Sequence, residues 1–229
     1  MKAILRLFFL LLVFSGGNPF VAAGSMPEMP EDSIDIQVLY NGRAWRNLFL
    51  RIDGDQFFFN SGFVPGTVTL TGRAFPGQSL RLDIYNDELL ILTDKRIILQ
   101  LNKELIDEFT LNLGGRVFRF LNFRTDSLRP LRGFVNVLSQ GTASLYVKYS
   151  KQILISDDDS KHAFSENIKV YLEKDGVILR IVTQGNFLRL FGDKKQEVRA
   201  YMKAQRIKFY RNDPESMKPA VDYFNSLQI

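Results

Sequence analysis

The sequence predicts an α+β fold that is predominantly antiparallel β, with two or three helices at its C-terminal end. Between Thr67 and Leu101, apolar residues recur at every second position in successive short segments, which turns one face of each segment toward a core. Short polar breaks join these segments and leave room only for antiparallel hairpins. From Asn186 onward the apolar spacing becomes that of amphipathic helices. The pattern therefore indicates a meander that forms either a sandwich or a half-open barrel, with helices packed on it.

The N-terminus has the pattern of a secretory signal peptide. Lys2 and Arg6 precede an apolar run over Leu7–Phe14, and the small residues Val21-Ala22-Ala23 follow. The run is shorter than the roughly 20 apolar residues that span a bilayer. The chain contains no cysteine, so neither a lipid anchor at a cleavage-site cysteine nor a disulfide can form. We therefore expect export through the inner membrane, with a periplasmic or secreted product.

The predicted organisation has four parts. Residues 1–23 are the signal peptide, 24–33 a flexible leader, 34–183 the antiparallel β domain and 184–229 a helical segment packed on it. Loss of Lys2 and Arg6 would lower the net charge from +5 to +3, an excess too small to favour nucleic acid as a partner. No second apolar run reaches membrane-spanning length, so we expect at most peripheral membrane contact.

The β domain is predicted to begin with a hairpin. Ile34 to Tyr40 alternate as a strand, Asn41-Gly42 favours a type I′ turn, and Trp45 to Ile52 read as the return strand. Phe57-Phe58-Phe59 follow, and three consecutive aromatic residues cannot all point to one face of a strand. After the central meander we expect a helical turn near Lys103. The later strands are predicted at Phe109–Leu113, Val117–Phe123, Phe134–Leu138, Ala143–Tyr149 with an extension over Ile153–Ile155, Val170–Leu172 and Val177–Thr183.

The C-terminal helices are predicted from caps and apolar stripes. Asn186 is placed to cap a short helix over Phe187–Phe191. Asp193 followed by Gln196 resembles a capping box that starts a helix over Lys194–Arg206. Asp213-Pro214 opens the last helix, in which Pro219 either introduces a kink or marks the true start.

Several of these segments together resemble a family of uncharacterised exported β-rich proteins of Bacteroidota-type bacteria. The segments that carry the resemblance are Tyr40-Asn41-Gly42-Arg43, Gly66–Leu70, Leu80–Asp87, Gly133–Leu138 with Gly141–Tyr149, and Leu190–Val198. The resemblance covers most of the chain after the signal peptide. It implies export and a layout of β domain followed by helices. No activity is known for this family, so none is implied for this chain.

The residue inventory excludes several kinds of site. The single histidine, His162, lies in a predicted polar loop, and with no cysteine the common zinc sites cannot form. No glycine-rich phosphate-binding motif occurs, and no cofactor is expected. Asp157, Asp158 and Asp159 are candidate ligands for a cation such as Ca²⁺, although their spacing is not that of an EF-hand. A solvated acidic loop is the alternative.

Two further clusters are candidate binding surfaces. Phe57, Phe58, Phe59 and Phe63 would line an apolar ligand groove or partner surface, with ordinary core packing as the alternative. Lys195, Arg199, Lys203 and Arg206 lie opposite the apolar stripe of the predicted basic helix. They would contact an anionic surface, with a solvated outer face as the alternative.

These observations favour a non-enzymatic exported protein of the cell envelope that acts as a binding or interaction module. A narrower form is a carrier of an apolar ligand or lipid, with the helices as a lid. The alternative is a carboxylate-based glycan hydrolase, for which two acids across a cleft suffice. Its candidate acids are Asp53, Asp55, Asp83 and Glu88.

Overall fold

The computed structural model of this protein describes residues 37–40, 42–60, 62–124, 131–155 and 161–227. The predicted signal peptide and leader lie outside the described residues, and so do Asp157, Asp158 and Asp159. The fold is mainly one antiparallel sheet of eleven strands in the order β1-β5-β4-β3-β2-β6-β7-β8-β9-β10-β11. The strands are β1 (Arg43–Ala44), β2 (Val64–Leu70), β3 (Arg73–Asp83), β4 (Glu88–Leu92), β5 (Ile98–Gln100), β6 (Ile106–Leu113), β7 (Arg116–Phe123), β8 (Gly133–Ser139), β9 (Ala143–Ile155), β10 (His162–Lys174) and β11 (Val177–Ile181).

This arrangement confirms the predicted fold class and makes the architecture more specific. The predicted meander from Thr67 to Leu101 is present as β2 to β5, joined by tight turns at the predicted polar breaks. The two edge strands, β1 and β11, do not pair with each other, so the sheet is unclosed. Because all the strands belong to one sheet, the molecule is not a sandwich of two separate sheets.

Three α-helices follow the sheet: α1 (Gln184–Arg189), α2 (Lys195–Ala204) and α3 (Lys218–Ser226). Short 3₁₀ turns precede α2 at Gly192–Lys194 and α3 at Pro214–Met217. Pro219 lies in the first turn of α3 and therefore marks its start rather than a kink. No helix among the described residues combines the length and the apolarity needed to cross a membrane.

The main core lies between one face of the sheet and the helices. Alternate residues of the strands point to this inner face, and the C-terminal segment adds three buried phenylalanines, two from helices and Phe191 from the connection after α1. The largest fully buried aromatic side chains are Phe58, Phe109, Phe120, Phe187, Phe191 and Phe224. A smaller cluster of Leu131, Val135, Tyr146 and Tyr171 lies on the opposite face of the later strands. The helices are therefore integral to the core rather than appended to it.

The predicted N-terminal hairpin is wrong where the structure describes it; residues 34–36 and Asn41 lie outside the described residues. Residues 37–39 are helical, and Trp45 to Ile52 do not form a strand. The side chain of Asn47 accepts a hydrogen bond from Phe49 N (2.9 Å), a local turn that competes with strand pairing. Leu48 and Leu50, part of the apolar alternation that suggested a strand, are 81% and 82% exposed. Alternation alone therefore misassigned this segment.

Residues 45–56 instead form an irregular strap that runs from the β5 edge to β10. Trp45 N donates to the Ile98 carbonyl of β5 at 3.0 Å. Near the other end, Asp53 N donates to the His162 carbonyl at 2.8 Å and Phe164 N donates to the Asp53 carbonyl at 2.9 Å. His162 is thus the first residue of β10, which corrects its predicted place in a polar loop.

Two predicted helix caps are also wrong. The cap of α1 is Thr183, whose hydroxyl accepts a hydrogen bond from Asn186 N at 3.2 Å. The helix therefore begins three residues before the predicted start. The Thr183 hydroxyl also donates a hydrogen bond to the Asn186 side chain at 2.9 Å, which supports this cap. Asp193 lies inside the 3₁₀ turn before α2, so the predicted capping box with Gln196 does not form.

Candidate functional site

A cleft of about 350 Å³ with both polar and apolar walls lies where the strap passes the β5 edge of the sheet. We call it the Trp45 cleft. Its walls come from β1, from β4 and β5, from the strap and from the turn between β3 and β4. The residues that line it are Arg43, Ala44, Trp45, Arg46, Leu48, Phe49, Gln56, Asn86, Glu88 and Gln100.

The short strand β1 positions one wall of the cleft. Arg43 pairs with Gln100 and Ala44 with Leu99. A Cβ atom on Gly42 would lie 2.3 Å from the Gln100 carbonyl oxygen, so only glycine permits this close approach. The glycine that the sequence predicted for a hairpin turn therefore serves strand pairing instead; its predicted turn partner, Asn41, lies outside the described residues.

Charged and amide groups form a hydrogen-bonded chain along this wall. Arg43 Nε donates to Gln100 Oε1 at 2.6 Å, and Arg43 Nη2 donates to Glu88 Oε1 at 3.3 Å. Burial raises the pKa of the Glu88 carboxyl, and the neighbouring Asp83 raises it further, whereas Arg43 and Gln100 act in the opposite direction. The cleft thus presents an acceptor whose negative charge is only partly compensated.

Gln56 contributes a buried donor that has no partner. The residue is only 2% exposed, and its Nε2 makes no hydrogen bond to any part of the chain that the structure describes. Leaving such a donor unpaired costs about 1–3 kcal/mol. The strap fixes its position, because the Gln56 carbonyl accepts hydrogen bonds from Ile84 N (3.0 Å) and Tyr85 N (3.3 Å). Gln56 lines the cleft, so its amide is a group there whose hydrogen-bonding capacity the described chain leaves unmet.

Trp45, the one tryptophan of the chain, gives the cleft an aromatic wall. It is half-buried and packs at a tilt against Phe57, with ring centroids 5.9 Å apart. The Arg81 guanidinium covers the Phe57 ring at 3.2 Å from its centroid. The indole is therefore supported from behind and has part of its surface open.

Only one of the four candidate acids lines the cleft. Asp83 is the cross-strand partner of Glu88 but is fully buried, and its carboxylate accepts hydrogen bonds from Tyr85 N, Asn86 N and Asn86 Nδ2 at 2.8–3.0 Å. Burial raises its pKa, against the effect of these hydrogen bonds. Asp55 pairs with Lys151 at 3.1 Å, and Asp53 belongs to the strap.

The predicted aromatic cluster is divided between the core and the surface. Phe57 and Phe58 are buried, whereas Phe59, held at φ 50°, is 49% exposed. The Phe58 ring contacts the Tyr149 ring at 4.8 Å between centroids. The Phe63 ring lies 5.9 Å from the Arg81 guanidinium. Core packing therefore accounts for two of the four phenylalanines.

The predicted cation site lies outside the described residues, whereas the basic residues predicted to contact an anionic surface lie within them. Within the described ranges, no three histidine or acidic side chains gather as metal ligands; the run Asp157, Asp158 and Asp159 lies outside them. Of the basic residues, Arg199, Lys203 and Arg206 are exposed, and Lys195 is half-buried.

Sequence reasoning missed most of the cleft. Arg43, Trp45, Gln56 and Gln100 come from separate segments and share no motif or spacing. The only available signal was Glu88, which the sequence analysis named as one candidate acid among several. Comparisons with protein-family models, curated proteins and solved structures find no match to this chain.

Proposed function

We propose that this chain is an exported, non-enzymatic protein of the cell envelope that binds a small polar ligand in the Trp45 cleft. The observation that carries the proposal is the unpaired Nε2 of Gln56, held by the strap beside Glu88, Arg43 and Gln100. An acceptor oxygen of a ligand would relieve the cost of that buried donor.

The composition of the cleft favours a neutral saccharide unit as the ligand. The amides of Gln56, Asn86 and Gln100 and the carboxylate of Glu88 are groups that hydrogen-bond hydroxyls. The Arg43 guanidinium offsets part of the Glu88 charge and Arg46 adds a second cation, so the amides rather than the charges favour a saccharide over other polar ligands. The Trp45 ring offers an apolar surface on which a sugar ring can pack.

The carrier hypothesis receives less support. The described inner face between sheet and helices is filled by Phe58, Phe109 and Phe120 together with the helix residues Phe187 and Phe224. An apolar ligand would have to displace these close-packed side chains, which is costly. The proposal therefore places the ligand in the Trp45 cleft rather than beneath the helices.

Binding can be measured directly because Trp45 is the one tryptophan. We expect its fluorescence to change on titration with a panel of neutral mono- and oligosaccharides. Native mass spectrometry of the protein taken from its own periplasm should show a co-purified ligand of the same class. A protein that carries no ligand and responds to no saccharide of the panel would contradict the proposal.

The matched variants are Gln56→Met and Gln152→Met. Gln56→Met removes the unpaired amide and no hydrogen bond of the described chain, so we expect binding about tenfold weaker with no loss of thermal stability. Gln152 is exposed on β9 and is not among the residues that line the cleft, and its replacement should change neither property. Equal binding by Gln56→Met and the unaltered protein would remove Gln56 from the site.

Carboxylate-based hydrolysis is the second candidate, favoured by the pairing of Asp83 with Glu88 and by the raised pKa of both acids. The Asp83 carboxylate is hydrogen-bonded within the β3–β4 turn and does not line the cleft. Glu88 is therefore the one acid among the residues that line it. A two-acid mechanism needs a second carboxyl group across the cleft. We expect no new reducing ends on incubation with glycans; their release by the unaltered protein, lost in Glu88→Gln, would favour the hydrolase.

A further inference from the structure

A second surface, at the other edge of the sheet, combines unpaired cations with apolar side chains. A groove of about 450 Å³ lies between α1, α2 and the segment after α2. Leu188 and Met202, both buried, form its floor with Ile207, while Arg199 and Lys203 stand on its rim. We call it the α1–α2 groove.

The cations of this surface have no internal partner. Lys195, Arg199 and Lys203 follow one another at intervals of four residues and so lie along one side of α2. Neither they nor Arg206 make an ion pair with a described acid, whereas Lys194 pairs with Glu197 at 3.1 Å. From Arg189 to Arg211 the chain has eight basic and two acidic residues, a local charge of +6. The positive charge is therefore directed at solvent.

Exposed apolar side chains lie on the strand that leads into this surface. β11 is an edge strand and leads through Val182 and Thr183 directly into α1. Val177, Leu179 and Val182 are all substantially exposed. Apolar side chains among unpaired cations are characteristic of surfaces that lie on the headgroup region of a bilayer.

The aromatic residues of the same helix argue against nucleic acid. Single-stranded nucleic acid is held by aromatic rings on which bases stack. Tyr201 of α2 is already stacked on Tyr223 of α3, with ring centroids 3.8 Å apart and an interplanar angle of 4°. One face of the Tyr201 ring is thus occupied within the protein, so α2 itself offers electrostatic attraction and apolar contact rather than a free aromatic platform.

We infer that the α1–α2 groove and the adjoining end of β11 form a contact surface for a bilayer that contains anionic lipid. Arg199 and Lys203 on the rim of the groove bind lipid phosphate groups, and the exposed apolar residues at the end of β11 lie against the interface. The inference does not depend on the proposed ligand of the Trp45 cleft, which is at the opposite edge of the strand order.

The test is co-sedimentation with vesicles of phosphatidylcholine alone and of phosphatidylcholine mixed with phosphatidylglycerol. We expect binding only to the mixed vesicles, weakened by salt because the charges are exposed. The double variant Arg199→Glu/Lys203→Glu should bind at least about tenfold more weakly. Lys95→Glu/Arg96→Glu, the same charge change in the exposed β4–β5 turn, should bind nearly as the unaltered protein does.

Three results would overturn the inference. Equal loss of binding in both double variants would show that net charge alone attracts the protein. Release from the vesicles by inorganic phosphate at low concentration would indicate a site for the free anion. Tighter binding to a single-stranded oligonucleotide than to mixed vesicles would favour nucleic acid. Thermal unfolding of both variants, expected to match that of the unaltered protein, excludes misfolding as the cause.

Discussion

At the scale of single residues, burial dominates the acids of the β3–β4 hairpin. Asp83 and Glu88 are cross-strand partners; burial raises the pKa of both carboxyl groups, and the charge of Asp83 raises that of Glu88 further. Both pKa values are raised, so the folded protein holds these protons more tightly than the unfolded chain does. The stabilising contribution is therefore complete below the ordinary pKa values of 3.8 and 4.5 and is lost as pH rises through the folded ones.

The replacement Asp83→Asn should flatten this pH dependence. It removes one titrating group while an amide oxygen can still accept from the backbone at Tyr85 and Asn86. We expect the free energy of unfolding, measured with urea from pH 3.8 upward, to fall less steeply in the variant than in the unaltered protein. Identical slopes would show that Asp83 does not titrate in this range. Asp83→Ala, which leaves the donors unpaired, should cost about 2 kcal/mol.

At the scale of elements, the start of α1 depends on a cap that the sequence pattern placed at the wrong residue. Thr183→Ala removes the acceptor of Asn186 N and should lower the free energy of unfolding by about 1 kcal/mol. Asn186→Ala removes only a contact between side chains and should cost less. Chemical denaturation of the two variants distinguishes the two caps. A larger loss of stability for Asn186→Ala than for Thr183→Ala would mean that Asn186, as predicted from the sequence, is the cap.

The β3–β4 turn is fastened to the later strands by one carboxylate. Asp87 accepts from Lys148 Nζ at 2.7 Å and from Lys103 Nζ at 2.6 Å, and also from Phe134 N at 3.3 Å. Burial lowers the pKa of Lys148, and Asp87 opposes that effect. The Asp87 side chain thus connects the β3–β4 turn to residues from three segments that are distant in the sequence.

We expect Asp87→Ala to cost about 2 kcal/mol, since it leaves the Lys148 ammonium, whose side chain is only 19% exposed, without its charged partner. Lys148→Met should cost less, because Asp87 keeps Lys103. The control is Lys218→Ala, which breaks an exposed pair with Asp222 and should cost at most about 0.5 kcal/mol. Urea denaturation measures the free energy of unfolding of all three variants. If Asp87→Ala costs no more than Lys218→Ala, the ion pairs of Asp87 do not stabilise the contact between the β3–β4 turn and the later strands.

At the scale of the whole molecule, the sheet and the helices share one core, so they should unfold together. Phe224 of α3 is fully buried and packs against Phe191 at 4.8 Å between ring centroids. Phe224→Ala should destabilise by about 3–5 kcal/mol. The loss should appear equally in circular dichroism and in Trp45 fluorescence, although Trp45 lies far from α3 in sequence.

Val117→Ala supplies the control for that experiment, because Val117 is 68% exposed. Its midpoint should hardly move. Two separate transitions in the Phe224→Ala protein, with Trp45 reporting the unchanged one, would mean that the strap and the helices belong to independent units.

The sequence by itself determined the elements whose signal is local. Alternation at every second residue, together with short polar turns, was sufficient for β2 to β5 and for most later strands, because one face of each strand is buried. The apolar stripes of α2 and α3 were likewise readable, as Val198, Met202, Val221 and Phe224 are all buried. It failed at residues 37–40 and 45–52, where the same alternation does not form strands.

Only the tertiary structure decided the strand order, the open edges and the Trp45 cleft. Arg43, Gln56, Glu88 and Gln100 meet because β1 pairs with β5 and the strap crosses the β3–β4 turn. Such contacts join residues up to 57 positions apart, and no local period encodes them. They arise when many non-local pairings are satisfied at once, so the site is a property of the assembled sheet rather than of any one segment.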